Sequence, residues 1–461
     1  MFTRDADKTS TIRGLSSDAH TARLLKTDDE DEPHKTRRAS SVYSQYTDPD
    51  VPLEPVLLNE ASSISCYMNL TNTIIGSGVL GLPYAVAHSG SILGVALVFL
   101  SAVCGIFSLH LLSICAVKVP PPSSFYSVTE ASVPQLTFLI DLAVAVQCFG
   151  VCASYLIVIG GLMPDVMENF DVDGFWLNRQ PWIILGFAVV APLSCFHKLD
   201  ALKYTSGVSV LFVLFLMFLV LFYAIPGDGL HPCDLDDDDD GDCVGDRPLI
   251  SITNQTMRVF SIFVFAFSCQ TNIFAVVNEI RNPSQQRYDN VAASSIFTAL
   301  TIYTIVAIAG FFTYGDSVDS NILISYPKTH LTSVARVFVS LLVAFSFPLL
   351  CHPGRNSILG LWRGCDRDED AWIKYNKMRY IIVTVGLLAG SFFTAMTVKD
   401  LGIIFALVGA TGATMISFIL PGAAYYNMHR HQGPEWKRYG ALVLCGLGCV
   451  IMPVCLVFIF I

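Results

Sequence analysis

The sequence predicts an all-α integral membrane protein with about eleven transmembrane helices, on three observations. Apolar runs of roughly 18–25 residues recur along most of the chain, each long enough to span a bilayer. Charged residues make up 14% of the 461 residues against 53% hydrophobic, where soluble domains run near 25% charged. The basic residues between the runs fall mainly on alternate loops, as orientation in a membrane requires.

Residues 1–60 are rich in Ser, Thr, Asp, Lys and Arg and poor in aromatics. Such a segment cannot bury enough apolar surface to fold alone, so a disordered N-terminal tail is expected. Within it, Arg37-Arg38-Ala39-Ser40 has the spacing of a basic-directed kinase site. Residues 61–461 read as one transmembrane domain. Its expected spans are 63–87, 92–117, 136–161, 181–197, 204–225, 252–278, 290–313, 331–351, 379–397, 400–425 and 439–460.

A cytoplasmic N-terminus puts most basic loop residues on one side. These are Lys118, Lys198, Lys203, Arg281, Arg287, the group from Arg355 to Arg379, and Arg430, Lys437 and Arg438. The opposite side keeps Arg179, Arg247, Lys328 and Lys399. The C-terminus is then extracytoplasmic. The net charge of -10 owes much to the tail and to one acidic loop, Asp234 to Asp246, on the non-cytoplasmic side. Cys233 and Cys243 lie in that loop and would pair in an oxidising compartment. The other cysteines are mostly scattered through apolar segments, where buried thiols are ordinary. No basic face for nucleic acid, no metal-ligand spacing and no HExxH or GxSxG motif occurs, so neither a cofactor nor an enzyme is indicated.

The first span carries the chemistry. Asn72, Gly76, Ser77, Gly78, Gly81 and Pro83 sit inside it. Glycine costs about 1 kcal/mol relative to alanine in a helix interior and proline about 3. Backbone freed in hydrocarbon must find partners in protein, water or ligand. A discontinuous helix is predicted, its unwound middle offering N–H and C=O groups to a solute or ion. The sixth span repeats the pattern with Ser268, Cys269, Gln270, Thr271 and Asn272 in a row. Paired interruptions at corresponding places in two halves point to an inverted-repeat transporter, with a site near the bilayer midplane.

These residues resemble the amino acid/auxin permease family, which includes vacuolar amino acid transporters and sodium-coupled neutral amino acid transporters. The resemblance covers residues 61–461. Its most specific part is Asn72-Thr-Ile-Ile-Gly-Ser-Gly-Val-Leu-Gly-Leu-Pro-Tyr84. Ser154 to Gly160, Leu199 to Tyr204, Asn278 to Pro283 and Tyr314-Gly315-Asp316 support it. The resemblance implies the leucine-transporter fold: two inverted five-helix repeats, with helices one and six discontinuous, plus one extra helix. It implies that Gly76, Ser77 and Gly78 present backbone groups to a substrate carboxylate. Ser268, Cys269 and Gln270 would receive the amino group or side chain, and Tyr155 would close over the substrate. In sodium-coupled relatives a cation sits between the first break and hydroxyls of the eighth helix. Asn72 and Ser346 match here, but Ala344 stands where those relatives often carry threonine. One hydroxyl is a thin ligand set for a hard cation, so a coupling proton is favoured over sodium.

Other polar residues have plainer readings. His110 is expected to be a satisfied structural histidine, Asp141 to be solvated near the cytoplasmic face, and Glu279 with Arg281 to form a gate or anchor pair. The leading expectation is a secondary active amino acid transporter working by alternating access, in a vacuolar, lysosomal or plasma membrane. The alternative is a membrane-embedded amino acid sensor that binds without net transport.

Overall fold

The structure is a computed structural model and describes residues 61–195, 205–225, 244–363, 377–431 and 435–461. Cys233, Cys243 and the expected tail lie outside the described residues. Within them the chain is helical, with no strand beyond an isolated parallel bridge between Ala61 and Ile280. In chain order the helices are Ser63–Ile74 (α1), Gly78–Ser89 (α2), Ser91–Val117 (α3), Phe125–Ser132 (α4), Thr137–Glu168 (α5) and Arg179–Cys195 (α6). Thr205–Ala224 (α7), Asn254–Ala266 (α8), Ile273–Glu279 (α9), Gln285–Tyr314 (α10) and Ile322–Ser325 (α11) follow. The last are His330–Arg363 (α12), Lys377–Thr397 (α13), Leu401–Val408 (α14), Leu420–Met428 (α15) and Trp436–Phe460 (α16).

Among the described residues, 9 helical stretches are long and apolar enough to cross a membrane. The pair α1 and α2, bent by 50°, passes that test together. The fourth expected span, α6, is apolar but shorter, at 17 residues. An integral membrane helical protein is therefore what these sequences build.

Two helices outrun their apolar segments. α5 continues past residue 161 to Glu168, and α12 past residue 351 to Arg363. Hydropathy falls at the first charge, whereas a helix ends where its backbone ladder ends. The charges in the α5 extension have partners: Asp165 Oδ2 lies 3.2 Å from the guanidinium of Arg336, and Glu168 accepts from Lys328 Nζ at 2.7 Å. Pro164, Pro348 and Pro353 sit inside these helices without ending them.

The extension of α12 corrects one expectation. Asp141 is buried rather than solvated, because Gly360 of α12 packs over it; a Cβ there would sit 3.1 Å from Asp141 Oδ2. The long helices α5 and α12 pack along each other, while α10 lies against α1, α2 and α3, and α8 against α2. This arrangement sets the two interrupted spans side by side. The Tyr314-Gly315-Asp316 motif also finds its reason here. Gly315 has φ 64°, and the chain at Gly245 and Asp246 pairs with its neighbours, Gly245 N–H donating to Tyr314 O (2.9 Å) and Asp316 N–H to Asp246 O (3.0 Å). A side chain would be strained there and would meet backbone.

Candidate functional site at the paired helix breaks

The first break is local and tight. α1 stops at Ile74; Ile75 N–H still donates to Thr71 O (2.9 Å), but Gly76 N–H turns back to Ile74 O (2.9 Å), and α2 begins at Gly78. Glycine is needed here for space, not for a left-handed backbone. A Cβ on Gly76 would lie 3.0 Å from the Tyr155 hydroxyl, and one on Gly78 would lie 3.1 Å from Cα of Ala266. Ala266 is the last residue of α8, so one break packs directly on the other.

The second break follows the same logic. After Ala266 the ladder lapses into short turns: Ser268 N–H to Phe265 O (3.0 Å), Cys269 N–H to Phe267 O (3.1 Å) and Asn272 N–H to Cys269 O (3.0 Å). A single 3-10 turn, Gln270–Asn272, leads into α9. Polar side chains tie this turn to its surroundings. Gln270 uses both ends of its amide, donating to Ser108 Oγ (3.3 Å) and accepting from Ser417 Oγ (2.7 Å). Ser268 Oγ accepts from Gln147 Nε2 (3.3 Å) and from Ser417 Oγ (3.4 Å). Asn272 Nδ2 donates to Thr73 Oγ1 of α1. Ser417 belongs to a π-helical stretch, Met415–Ile419, which follows another, Gly409–Ala413. Such widened turns recur at functional sites.

A third element, α10, also joins both breaks. Tyr303 of α10 is fully buried, and its hydroxyl lies 2.5 Å from Ile74 O and 3.1 Å from Ala266 O. Its single proton is shared between two carbonyls that end helices α1 and α8.

Between the breaks lies a cavity of about 30 Å³. Gly76, Ser77, Gly78, Tyr155 and Ser268 line it together, with Gln147 and Phe265. Cys269 and Gln270 are buried but not part of that lining. The Ser77 hydroxyl also meets that of Ser154 at 3.2 Å, fixing the break to α5. Asn72 is buried on α1. Ser346 is buried on α12, and its hydroxyl has no hydrogen-bond partner among the described residues, so no hydrogen bond joins it to Asn72. Tyr303 and Gln147 are not among the residues that the sequence singles out. Each shares its span with other polar residues, Thr298, Thr301 and Thr304 near Tyr303 and Asp141 and Ser154 around Gln147, so no local signal singles it out.

A cavity this small has room for about one water, so its walls must part to admit an organic solute. A second cavity, of about 500 Å³, is lined by Tyr84 of α2, Ile157 and Gly161 of α5, Asp319, Lys399 and Asp400 among others. Leu401 of α14 also lines it, and one turn further Phe405 stacks on Phe265 with ring centroids 4.8 Å apart. Asp400 caps α14 by accepting from Gly402 N–H (2.8 Å) and lies 3.8 Å from Arg258. At the other end of the interrupted spans, Ala61 N–H donates to Glu279 O (3.0 Å) and Arg281 N–H to Ala61 O (2.8 Å). Glu279 and Arg281 both bond Ala61 through their backbones. His110 Nδ1 meets Asp289 Oδ1 at 2.8 Å, and Gln285 holds that carboxylate (2.9 Å) and Ser113 (2.7 Å). Among the described residues no group of His, Cys, Asp or Glu is placed to hold a metal ion.

A family model for transmembrane amino acid transporter proteins matches residues 59–461. The chain belongs to this family. Vacuolar amino acid transporter 5 of Schizosaccharomyces pombe is 33% identical, over 87% of this chain and 95% of its own length. Vacuolar amino acid transporter 6 of Saccharomyces cerevisiae is 32% identical, over 86% of this chain and 98% of its own length. Sodium-coupled neutral amino acid symporter 2 of Danio rerio is 27% identical over 83% of this chain and 79% of its own. The transmembrane amino acid transporter family is a family of transporters rather than enzymes, and its match runs through both breaks and the cavity between them.

Proposed function

We propose that this protein is a secondary active transporter that carries amino acids across a membrane by alternating access. The observation that carries the reading is the back-to-back contact of two helix breaks around a buried cavity, with Tyr303 holding both. Half-helix N-termini carry partial positive charge and suit a carboxylate, while freed carbonyls suit an ammonium. Gly76, Ser77 and Gly78 at the start of α2 take the carboxylate. Tyr155 covers it, the carbonyls around Cys269 and Gln270 take the amino group, and Ser268 meets the side chain.

The fold we propose is a 5+5 inverted repeat with α6 as the fourth of eleven crossings and α16 as the last. Residues 1–60 are its cytoplasmic tail and residues 61–461 its transport domain, with the C-terminus extracytoplasmic. The 500 Å³ cavity then opens on the non-cytoplasmic side, and the stacked Phe265 and Phe405 separate it from the site. The Ala61–Ile280 bridge closes the cytoplasmic side. A proton is the coupling ion, because Asn72, Ser346 and Ala344 supply a poor sodium shell. The vacuolar relatives favour a vacuolar or lysosomal membrane over the plasma membrane. The test is uptake into sealed vesicles of a panel of amino acids, with pH and sodium varied independently. A sensor would bind solute and accumulate none.

A further inference from the structure

We propose that Gln147 reads the tip of the substrate's side chain, and that the preferred cargo is a neutral amino acid whose side chain ends in a hydrogen-bond donor, a carboxamide or a hydroxyl. The inference rests on the transporter reading of the same cavity and deepens it.

Gln147 is 4% exposed and lines the cavity between the breaks. Its Nε2 donates to Ser268 Oγ at 3.3 Å, while its Oε1 is buried with no hydrogen-bond partner among the described residues. A buried amide oxygen left unpaired is costly, and each such group calls for an explanation. Gln270, linked to it through Ser268 and Ser417, has both amide ends engaged. Gln147 therefore differs from Gln270 in keeping acceptor capacity to spare, on a side chain that lines the cavity.

Its position says which part of a substrate it meets. Tyr155, Val151 and Gln147 all line the cavity from α5, one helical turn apart. Tyr155 and Gln147 are separated by about 12 Å along the helix axis at 1.5 Å per residue. The Tyr155 hydroxyl sits against Gly76, at the carboxylate end. The α-ammonium is borne on the carbon next to the carboxylate, so it stays near that end. Only a side chain reaches towards Gln147.

The remaining lining selects charge. It comprises Thr73, Ser77, Ser268, Thr271, Gln147 and Tyr155 with apolar residues and glycines, and contains no Asp, Glu, Lys, Arg or His. A charged side-chain tip would be buried without a counter-charge, which is strongly unfavourable. A neutral donor satisfies Gln147 Oε1 and avoids that cost. Gln147 is also held in place: a Cβ on Gly412 of the π-helical stretch would lie 2.8 Å from both Gln147 N and Cβ, so backbone packs closely behind it.

The test uses the full chain in proteoliposomes and compares glutamine with methionine, a near-isostere without the donor. A site built around a hydrogen bond rejects the analogue that lacks it, so wild type should favour glutamine by about tenfold or more in kcat/KM. Gln147→Met keeps the volume and should lose about tenfold of that preference, through glutamine, while methionine uptake stays within about threefold. Gln147→Glu should acquire inhibition by ornithine and lysine. An unchanged glutamine-to-methionine ratio in Gln147→Met, or no preference in wild type, overturns the proposal. Equal loss of both substrates in both variants, with protein folded and inserted, also overturns it, since that marks a structural role. If wild type takes up no amino acid at all, the transport reading fails separately. Thermal stabilisation of detergent-solubilised protein by glutamine over methionine, lost in Gln147→Met, still decides the inference.

Discussion

Replacing Tyr303 by phenylalanine removes one oxygen and tests whether the two breaks act as a unit. The ring stays, and with it the edge-to-face contact with Phe267 at 5.2 Å. What goes is the donor shared between Ile74 O at 2.5 Å and Ala266 O at 3.1 Å. Ile74 O retains the Gly76 N–H, so the loss falls most on the carbonyl that ends α8. Side-chain hydrogen bonds inside membrane bundles are worth about 0.6 kcal/mol on average and up to about 1.7. At 1.4 kcal/mol per factor of ten, that is about 3- to 16-fold. Tyr303→Phe should therefore lower transport efficiency by about that factor, with insertion and thermal stability nearly unchanged. The assay is initial uptake in proteoliposomes at matched protein amount. Uptake within about twofold of wild type would refute the idea that this hydroxyl couples the breaks.

Gly76→Val should abolish uptake while the protein still inserts, because its Cβ would approach the Tyr155 hydroxyl at 3.0 Å; a near-normal rate at equal surface amount would contradict this. Replacing sodium by choline at constant pH should leave most uptake intact, while collapsing a pH gradient should remove it; the reverse pattern would make Asn72 with Ser346 the cation site. Ala61→Pro deletes the N–H that donates to Glu279 O, and hydrogen exchange at the Arg281 amide should quicken; unchanged protection would mean the bridge is no latch. His429, beyond the end of α15, accepts from Lys118 Nζ (2.7 Å), and its imidazole is held below the ordinary value of 6.5, first by burial and then by the Lys118 charge. A depressed folded pKa makes this contact stabilising above the unfolded value and lost as pH falls through the folded one. Thermal stability should thus decline on acidification below about 6.5, and less so in His429→Gln; equal declines in both would disprove the link.

The two breaks were legible because each concentrates residues that helices resist. Gly76, Ser77, Gly78 and Pro83 mark the first, and the run from Ser268 to Asn272 marks the second. Those signals are local, so one chain suffices to read them. What closes the site comes from far along the chain. Tyr303 and Gln147 sit in spans that hold several other polar residues, and nothing local singles them out. Asp141 was misread for a related reason: hydropathy ended the eighth span near residue 351, while the α12 backbone ladder continues to Arg363 and covers it. Asp289 likewise becomes meaningful only once α3 and α10 pack and bring it to His110. Periodicity and breakers report what a segment does alone, and tertiary partners report what it does in company.

The central claim is that the paired breaks move an amino acid rather than merely bind one. Purified full-length protein in tightly sealed liposomes, given a pH gradient and a radiolabelled amino acid panel, tests it most directly. The account predicts saturable accumulation above the outside concentration, driven by the gradient and lost in Gly76→Val. Saturable binding with no accumulation under any ion gradient or exchange condition would contradict it and leave a sensor in its place.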